Sequence, residues 1–161
     1  MYEMSRLAGM VAATLALAAA GCGGGSDDTL SKRELIARGG AICKAAERKV
    51  SKLPQPSVEH PFAKGTSPAV RRAARRFLAG YADALEFSRV GLAQLKAPAE
   101  DKTLLEGYLN DTGVVVAQLR TASKAPAQSL ESQANAAFGL FERASRQTAR
   151  YGFPKGVCGA G

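Results

Sequence analysis

Catalysis needs groups able to trade protons, hold a metal or attack an electrophile, and this chain carries few of them. Its single histidine, His60, sits between Glu59 and Pro61. With no second histidine to share a metal or pair with a nucleophile, it reads as a solvated loop residue. The sequence holds no Cys-x-x-Cys pair for zinc and no Glu-x-x-His pair of the kind that binds two irons inside a bundle. It has no Cys-x-x-Cys-His for haem attachment, and its methionines are Met1, Met4 and Met10, all close to the start. Asp83 and Glu86 are spaced one helical turn apart, which suits general acid and base work if both face a cleft. They lie at the margin of an apolar stripe and read as surface charge. The expectation is a protein that is not an enzyme and needs no cofactor.

Charge is the stronger signal. Lys and Arg number 22 against 14 Asp and Glu, a formal net charge of +8. Residues 1–21 contribute only Arg6 and Glu3, so the remainder is basic in its own right. Such a balance favours anionic lipid head groups, anionic wall polymers or nucleic acid as partners, and says nothing about fold. The densest cluster is Arg71, Arg72, Arg75 and Arg76. On a helix whose core positions are Val70, Ala74 and Phe77, these guanidinium groups are expected to project away from the core. Cations in the opening turns of a helix oppose its macrodipole by about 0.3 to 1 kcal/mol each, so helix stability does not account for them. Arg143, Arg146 and Arg150 form a similar outward stripe further on. Tyr81, Tyr108, Phe77 and Phe141 could line an apolar cavity between helices, although the many Ala and Gly neighbours fit close helix approach at least as well.

Residues 7–20 form an apolar run shorter than the ~20 residues a spanning helix requires and typical of a signal-peptide core. Arg6 supplies the positive flank; Glu3 fits that region poorly, so translation from Met4 is expected. Ala19-Ala20-Gly21-Cys22 follows, and then the polar run Gly23-Gly24-Gly25-Ser26-Asp27-Asp28. This resembles the lipobox of bacterial lipoproteins, with Ala19 where leucine is commonest. The resemblance implies cleavage before Cys22 and a thioether-linked diacylglycerol on its sulfur. Residues 1–21 are thus read as a lipoprotein signal peptide, 22–30 as the lipidated Cys and a flexible tether of about 15 Å root-mean-square span, and 31–161 as the folded domain. Acyl chains contribute roughly 0.8 kcal/mol per buried methylene, so two of them anchor stably. With Cys22 taken by lipid, Cys43 and Cys158 remain, and an oxidising compartment makes a disulfide between them the expectation. Closing that loop is worth about 4 to 5 kcal/mol in the chain-entropy model.

Helices must position these groups. Ser31 and Glu34 form a capping box, and the first helix runs to about Lys52, before Pro54 and Pro56. Its inward face is read as Leu35, Ile42, Ala46, Val50 and Leu53, with Cys43 on the flank. The Gly39-Gly40 pair is a weak point at about 1 kcal/mol per glycine. After a long loop, Ser67-Pro68 starts a second helix ending near Lys96. Its stripe is Val70, Ala74, Phe77, Tyr81, Ala84, Ser88 and Leu95, widened by Leu78, Leu85 and Leu92. Ala97-Pro98 opens the third helix, with Glu100 and Asp101 complementing its macrodipole and a heptad of Leu105, Tyr108, Thr112, Val115, Leu119 and Ala122. The β-branched run Val114-Val115-Val116 is outweighed by that periodicity. The fourth helix follows Ala125-Pro126, carries Ala127, Leu130, Ala134, Ala137, Phe141, Ala144, Thr148 and Tyr151, and ends at Gly152 and Pro154.

Short links make neighbours antiparallel, so the fold class expected is all-α: an antiparallel up-down four-helix bundle with one disulfide, preceded by a signal peptide and tether. The stretch Leu30-Ser31-Lys32-Arg33-Glu34-Leu35-Ile36-Ala37-Arg38, with Ala41-Ile42-Cys43, resembles the start of small lipoproteins of high-GC Gram-positive bacteria. In those, a second Cys lies near the C-terminus, as does Cys158 after Tyr151-Gly152-Phe153. The resemblance implies a membrane-anchored, disulfide-bonded helical protein and no assigned activity. The function expected is a non-catalytic binding or interaction module at the extracytoplasmic face of the cell membrane. Its partners would be the membrane through the lipid anchor, and anionic head groups or wall polymer at Arg71, Arg72, Arg75 and Arg76. Nucleic acid is excluded by location, and no protein partner is indicated. The alternative is a lipid or small-molecule carrier or sensor with an apolar site inside the bundle.

Overall fold

A computed structural model describes residues 29–55, 60–153 and 158. The described residues form four helices and no strand: α1 (Lys32–Val50), α2 (Pro68–Ala93), α3 (Ala99–Lys124) and α4 (Leu130–Tyr151). α1 packs on α2, α2 on α3 and α3 on α4. The leader, Cys22 and most of the tether lie outside the described residues.

Helix starts follow the local chemistry of the sequence. The Ser31 hydroxyl accepts from the Glu34 amide at 3.3 Å while the Glu34 carboxylate accepts from the Ser31 amide at 3.0 Å, closing the expected capping box. Hydrogen bonds from the Ser31 side chain and backbone hold the Glu34 carboxyl below its usual range. Ser67 caps α2 by accepting from the Val70 amide, and Pro68 occupies the first turn. Ends differ from expectation by a residue or a turn. α1 and α2 finish earlier because their last residues tighten into i→i−3 turns, Leu53 onto Val50 and Leu95 onto Leu92. α4 begins at Leu130 because Pro126 to Ser129 forms a turn first, leaving Ala127 exposed.

Two apolar clusters make up the core. One joins Ala46 of α1, Leu78, Ala82 and Leu85 of α2, Val115, Val116, Leu119 and Ala122 of α3, and Leu130, Ala134 and Ala137 of α4. The other gathers Leu35, Cys43, Leu92, Leu105, Tyr108, Ala144, Tyr151, Phe153 and Cys158. All six residues of the α3 heptad are buried. On α2 the centre of the stripe is Leu78, Leu85 and Leu92, which are fully buried, while Val70, Phe77 and Tyr81 are half-buried at its edge. On α1, Cys43 faces the core rather than the flank, and Ile42 is half-buried. The glycines explain this shift in facing. Ile42 Cγ2 would stand 3.0 Å from a Cβ on Gly91, and Cδ1 of Leu53, in the turn after α1, 3.2 Å from one on Gly80, so α1 and the turn that follows it approach α2 where α2 has no side chain.

The expected disulfide is present: Cys43 and Cys158 are bonded, with a Cα–Cα distance of 5.5 Å, and both are buried. It joins the middle of α1 to the segment that follows α4. Gly152, with φ of 108°, closes α4 in the left-handed conformation that lets the chain turn back. The Thr148 hydroxyl donates to the Cys158 carbonyl, holding Cys158 against α4.

Candidate anion-binding surface

α2 starts without an acidic residue in its first turn, and its four arginines meet different fates. Arg72 and Arg76 are exposed, one turn apart on the same face. Arg71 and Arg75 are half-buried and hold backbone carbonyls. The Arg71 guanidinium donates to the Thr66 carbonyl, bracing the loop that leads into α2. Arg75 Nη2 donates to the Ala125 carbonyl at 2.7 Å, across to the end of α3. Ala125 is the C-cap of α3, where carbonyls lack intrahelical partners and the macrodipole is negative, so a cation is favoured there. Arg75 Nε is buried with no partner among the described residues. The cluster expected to project outward is therefore split: two cations face solvent and two fasten the helix that carries them. Lys64 before α2 and Lys124 in the last turn of α3 are exposed as well. On α4, Arg143 and Arg146 are exposed, as the outward stripe requires; the Arg150 side chain lies outside the described residues.

Carboxylates with acid or base potential are engaged elsewhere. Glu86 accepts from Arg89 Nε at 2.8 Å and from Nη2 at 2.7 Å, which holds its carboxyl below the usual range and raises the guanidinium. Asp83 is exposed and accepts from Arg120 Nη2 at 3.3 Å. Asp101, expected only to complement the α3 macrodipole, is buried and accepts from the Tyr151 hydroxyl. Desolvation, then the Asp101 hydrogen bond and charge, push the Tyr151 phenol above its ordinary value. Lys32 Nζ lies 4.6 Å from the centre of the same ring. The sequence held a clue to this pair, since Asp101 opens α3 and Tyr151 closes α4. His60 is exposed, beside a groove of about 250 Å³ bordered by Phe62, Glu131 and Asn135. Among the described residues no group of three His, Cys, Asp or Glu side chains could hold a metal.

The aromatic side chains pack on one another. Tyr81 lies edge-on to Phe138 and Phe141 at 5.7 and 5.9 Å between ring centres, and Phe62 lies 6.4 Å from Phe138. Tyr108 is fully buried, as is Thr112 one turn on. A groove of about 340 Å³ opens at the surface between Leu95, Ala97, Leu105 and Leu109. No helix among the described residues is long and apolar enough to cross a membrane. No protein-family model, curated protein or solved structure matches the chain.

Proposed function

We propose that the chain is an extracytoplasmic lipoprotein, held to the cell membrane by lipid on Cys22 after removal of residues 1–21. In this reading it is a non-catalytic binding module for anionic surfaces. The observation that carries it is the exposure of Arg72 and Arg76 on a helix that their neighbours Arg71 and Arg75 lock in place. Rigid support lowers the entropy cost of presenting guanidinium groups to phosphate or carboxylate. The carboxylates best placed for acid or base work are meanwhile bonded to Arg89, Arg120 and Tyr151.

The arrangement proposed is an antiparallel up-down bundle. What supports it is that partner numbers rise on one helix as they fall on the next. Arg75 meets Ala125 and Asp83 meets Arg120; Asp101 meets Tyr151 and Asp111 meets Gln147. Gly39 of α1 lies near Leu92, while Leu53, just past the end of α1, lies near Gly80.

Mass analysis of the natural product tests the anchor: a diacylglyceryl thioether on Cys22 is expected, and an unacylated mature chain refutes it. Binding is tested by co-sedimentation of the full chain with anionic cell-envelope material. Salt-sensitive binding that is lost in the Arg72→Ala, Arg76→Ala variant is expected; equal binding by both forms removes the arginines from the account.

A further inference from the structure

One long side of α2 is left uncovered by its neighbours. α1 and its following turn meet α2 at Gly91 and Gly80, and α3 meets it where Arg120 reaches Asp83 and Ala125 accepts from Arg75. Between those seams Arg72, Arg76, Asp83, Phe87, Val90 and Gln94 follow at steps of three, four or seven, so they share one face, and all are exposed. From Arg72 to Val90 the face runs about 27 Å at 1.5 Å per residue. α1 widens it. Lys49 Nζ stands 4.6 Å over the Phe87 ring, and Arg38, three turns back on the same side of α1, borders a groove with Gln94.

Apolar and cationic side chains are interleaved on this side. Phe87 is 43% exposed and Val90 44%. Arg38, Lys49, Arg72, Arg76 and Arg120 stand around them, all exposed. The carboxylates there are Asp83, which is paired with Arg120, and Glu34, which closes the cap of α1. Val114, the most exposed large apolar residue described, lies instead in a groove with Asp111 and Arg143, whose charges balance.

That mixture selects the surface it fits. A linear polyanion would satisfy the cations and leave Phe87 and Val90 in water. A protein interface of ordinary size covers about 800 Å² on each partner, around an apolar core larger than two half-exposed side chains. A bilayer offers phosphate and hydrocarbon together on one flat surface. The stems of Lys and Arg let their charges stay among head groups while apolar neighbours sink below, and Lys49 over Phe87 is placed for that division.

We infer that the α1 and α2 side of the domain docks on an anionic phospholipid bilayer, with Phe87 and Val90 entering the head-group boundary and the surrounding cations on lipid phosphate. This rests on the anionic-surface reading above, deepens it by naming the surface and the face, and does not depend on acylation of Cys22.

The chain has no tryptophan, so Phe87→Trp in the full chain places a single reporter on the face. Phosphatidylcholine vesicles are compared with vesicles of phosphatidylcholine and phosphatidylglycerol, each with and without bromine on the acyl chains. In the mixed vesicles the emission of the Phe87→Trp chain should shift to shorter wavelength and be quenched by bromine, and salt should reverse both. In phosphatidylcholine alone, and for a Val114→Trp chain in either, neither should occur. Adding Arg38→Ala and Lys49→Ala to Phe87→Trp removes two exposed cations at about fivefold each, so docking should weaken about 25-fold. An unchanged docking constant in that variant overturns the inference. So does an unquenched Phe87→Trp chain in mixed vesicles, or equal quenching of the Val114→Trp chain. If such a failure accompanies envelope binding that is lost in the Arg72→Ala, Arg76→Ala variant, the anionic-surface module stands without this face; if envelope binding fails too, both readings fall. A wavelength shift that grows with protein concentration in the absence of vesicles would seat a second copy on the face and overturn the bilayer as its partner.

Discussion

Phe153 is seated on Gly39: a Cβ on that glycine would stand 2.9 Å from Phe153 Cζ and 3.1 Å from Leu92 Cδ2. The Gly39-Gly40 pair that weakens α1 on its own is buried, and Gly39 makes the space in which Phe153 lies 5% exposed. Burying a phenylalanine contributes about 1.5 to 3 kcal/mol, which offsets the helix cost of about 1 kcal/mol per glycine.

Alanine should therefore act oppositely at two helical glycines. At Gly39 overpacking costs about 1 to 3 kcal/mol against a helix gain of about 1 kcal/mol, so a lower urea midpoint is expected. Gly139 has open space where its Cβ would lie, so Gly139→Ala should raise the unfolding free energy by up to about 1 kcal/mol, and the urea midpoint with it. Equal stabilisation by both substitutions would show that Phe153 is not seated there.

Replacing both Cys43 and Cys158 by serine releases a loop closed across 115 residues. The chain-entropy model gives about 5 kcal/mol, and native bridges of this kind are typically worth about 2 to 5 kcal/mol. Thermal unfolding in the presence and absence of reductant should reproduce the loss in the parent chain and leave the double variant unchanged.

Tyr151→Phe removes the donor to the buried Asp101 carboxylate. A loss of about 1 to 3 kcal/mol is expected near neutral pH.

Alkali should unfold the domain through its phenols. Burial pushes Tyr81 up to about 12, with Tyr108 adding to it, and Tyr151 is raised by desolvation and Asp101. A folded pKa above the unfolded value of 10.0 means that the unfolded chain loses its proton first. That stability is fully present below pH 10 and is lost as pH rises through the folded values. Urea midpoints measured between pH 9 and pH 12 should fall, and Tyr81→Phe should flatten the decline.

Arg75 and Arg72 should separate structure from binding. Arg75→Ala breaks the charge-assisted bond to Ala125 and should cost about 1.5 to 3 kcal/mol in unfolding measurements. Arg72→Ala, at an exposed position, should stay within about 0.5 kcal/mol of the parent and alter only anion binding. The reverse pattern would exchange their roles.

Local chemistry carried much of the architecture. Ser31 with Glu34, Ser67 with Pro68, and Gly152 start or stop helices through bonds made within a few residues, so they are readable without knowledge of the fold. The α3 heptad from Leu105 to Ala122 is legible for the same reason, because one face of one helix carries its period. The pairing of Cys43 with Cys158 follows from reading Cys22 as the lipidated residue, which leaves two cysteines.

Packing decided the rest. Cys43 turned inward, and Leu78, Leu85 and Leu92 took the centre of α2, because Gly80 and Gly91 let α1 come close there. The four arginines look equivalent along the chain. Arg71 and Arg75 became fasteners only because the Thr66 and Ala125 carbonyls lie within reach, and Arg72 and Arg76 were left to solvent. Periodicity determines which face of a helix is apolar, but the partner a side chain meets depends on the register between helices, which no single segment encodes.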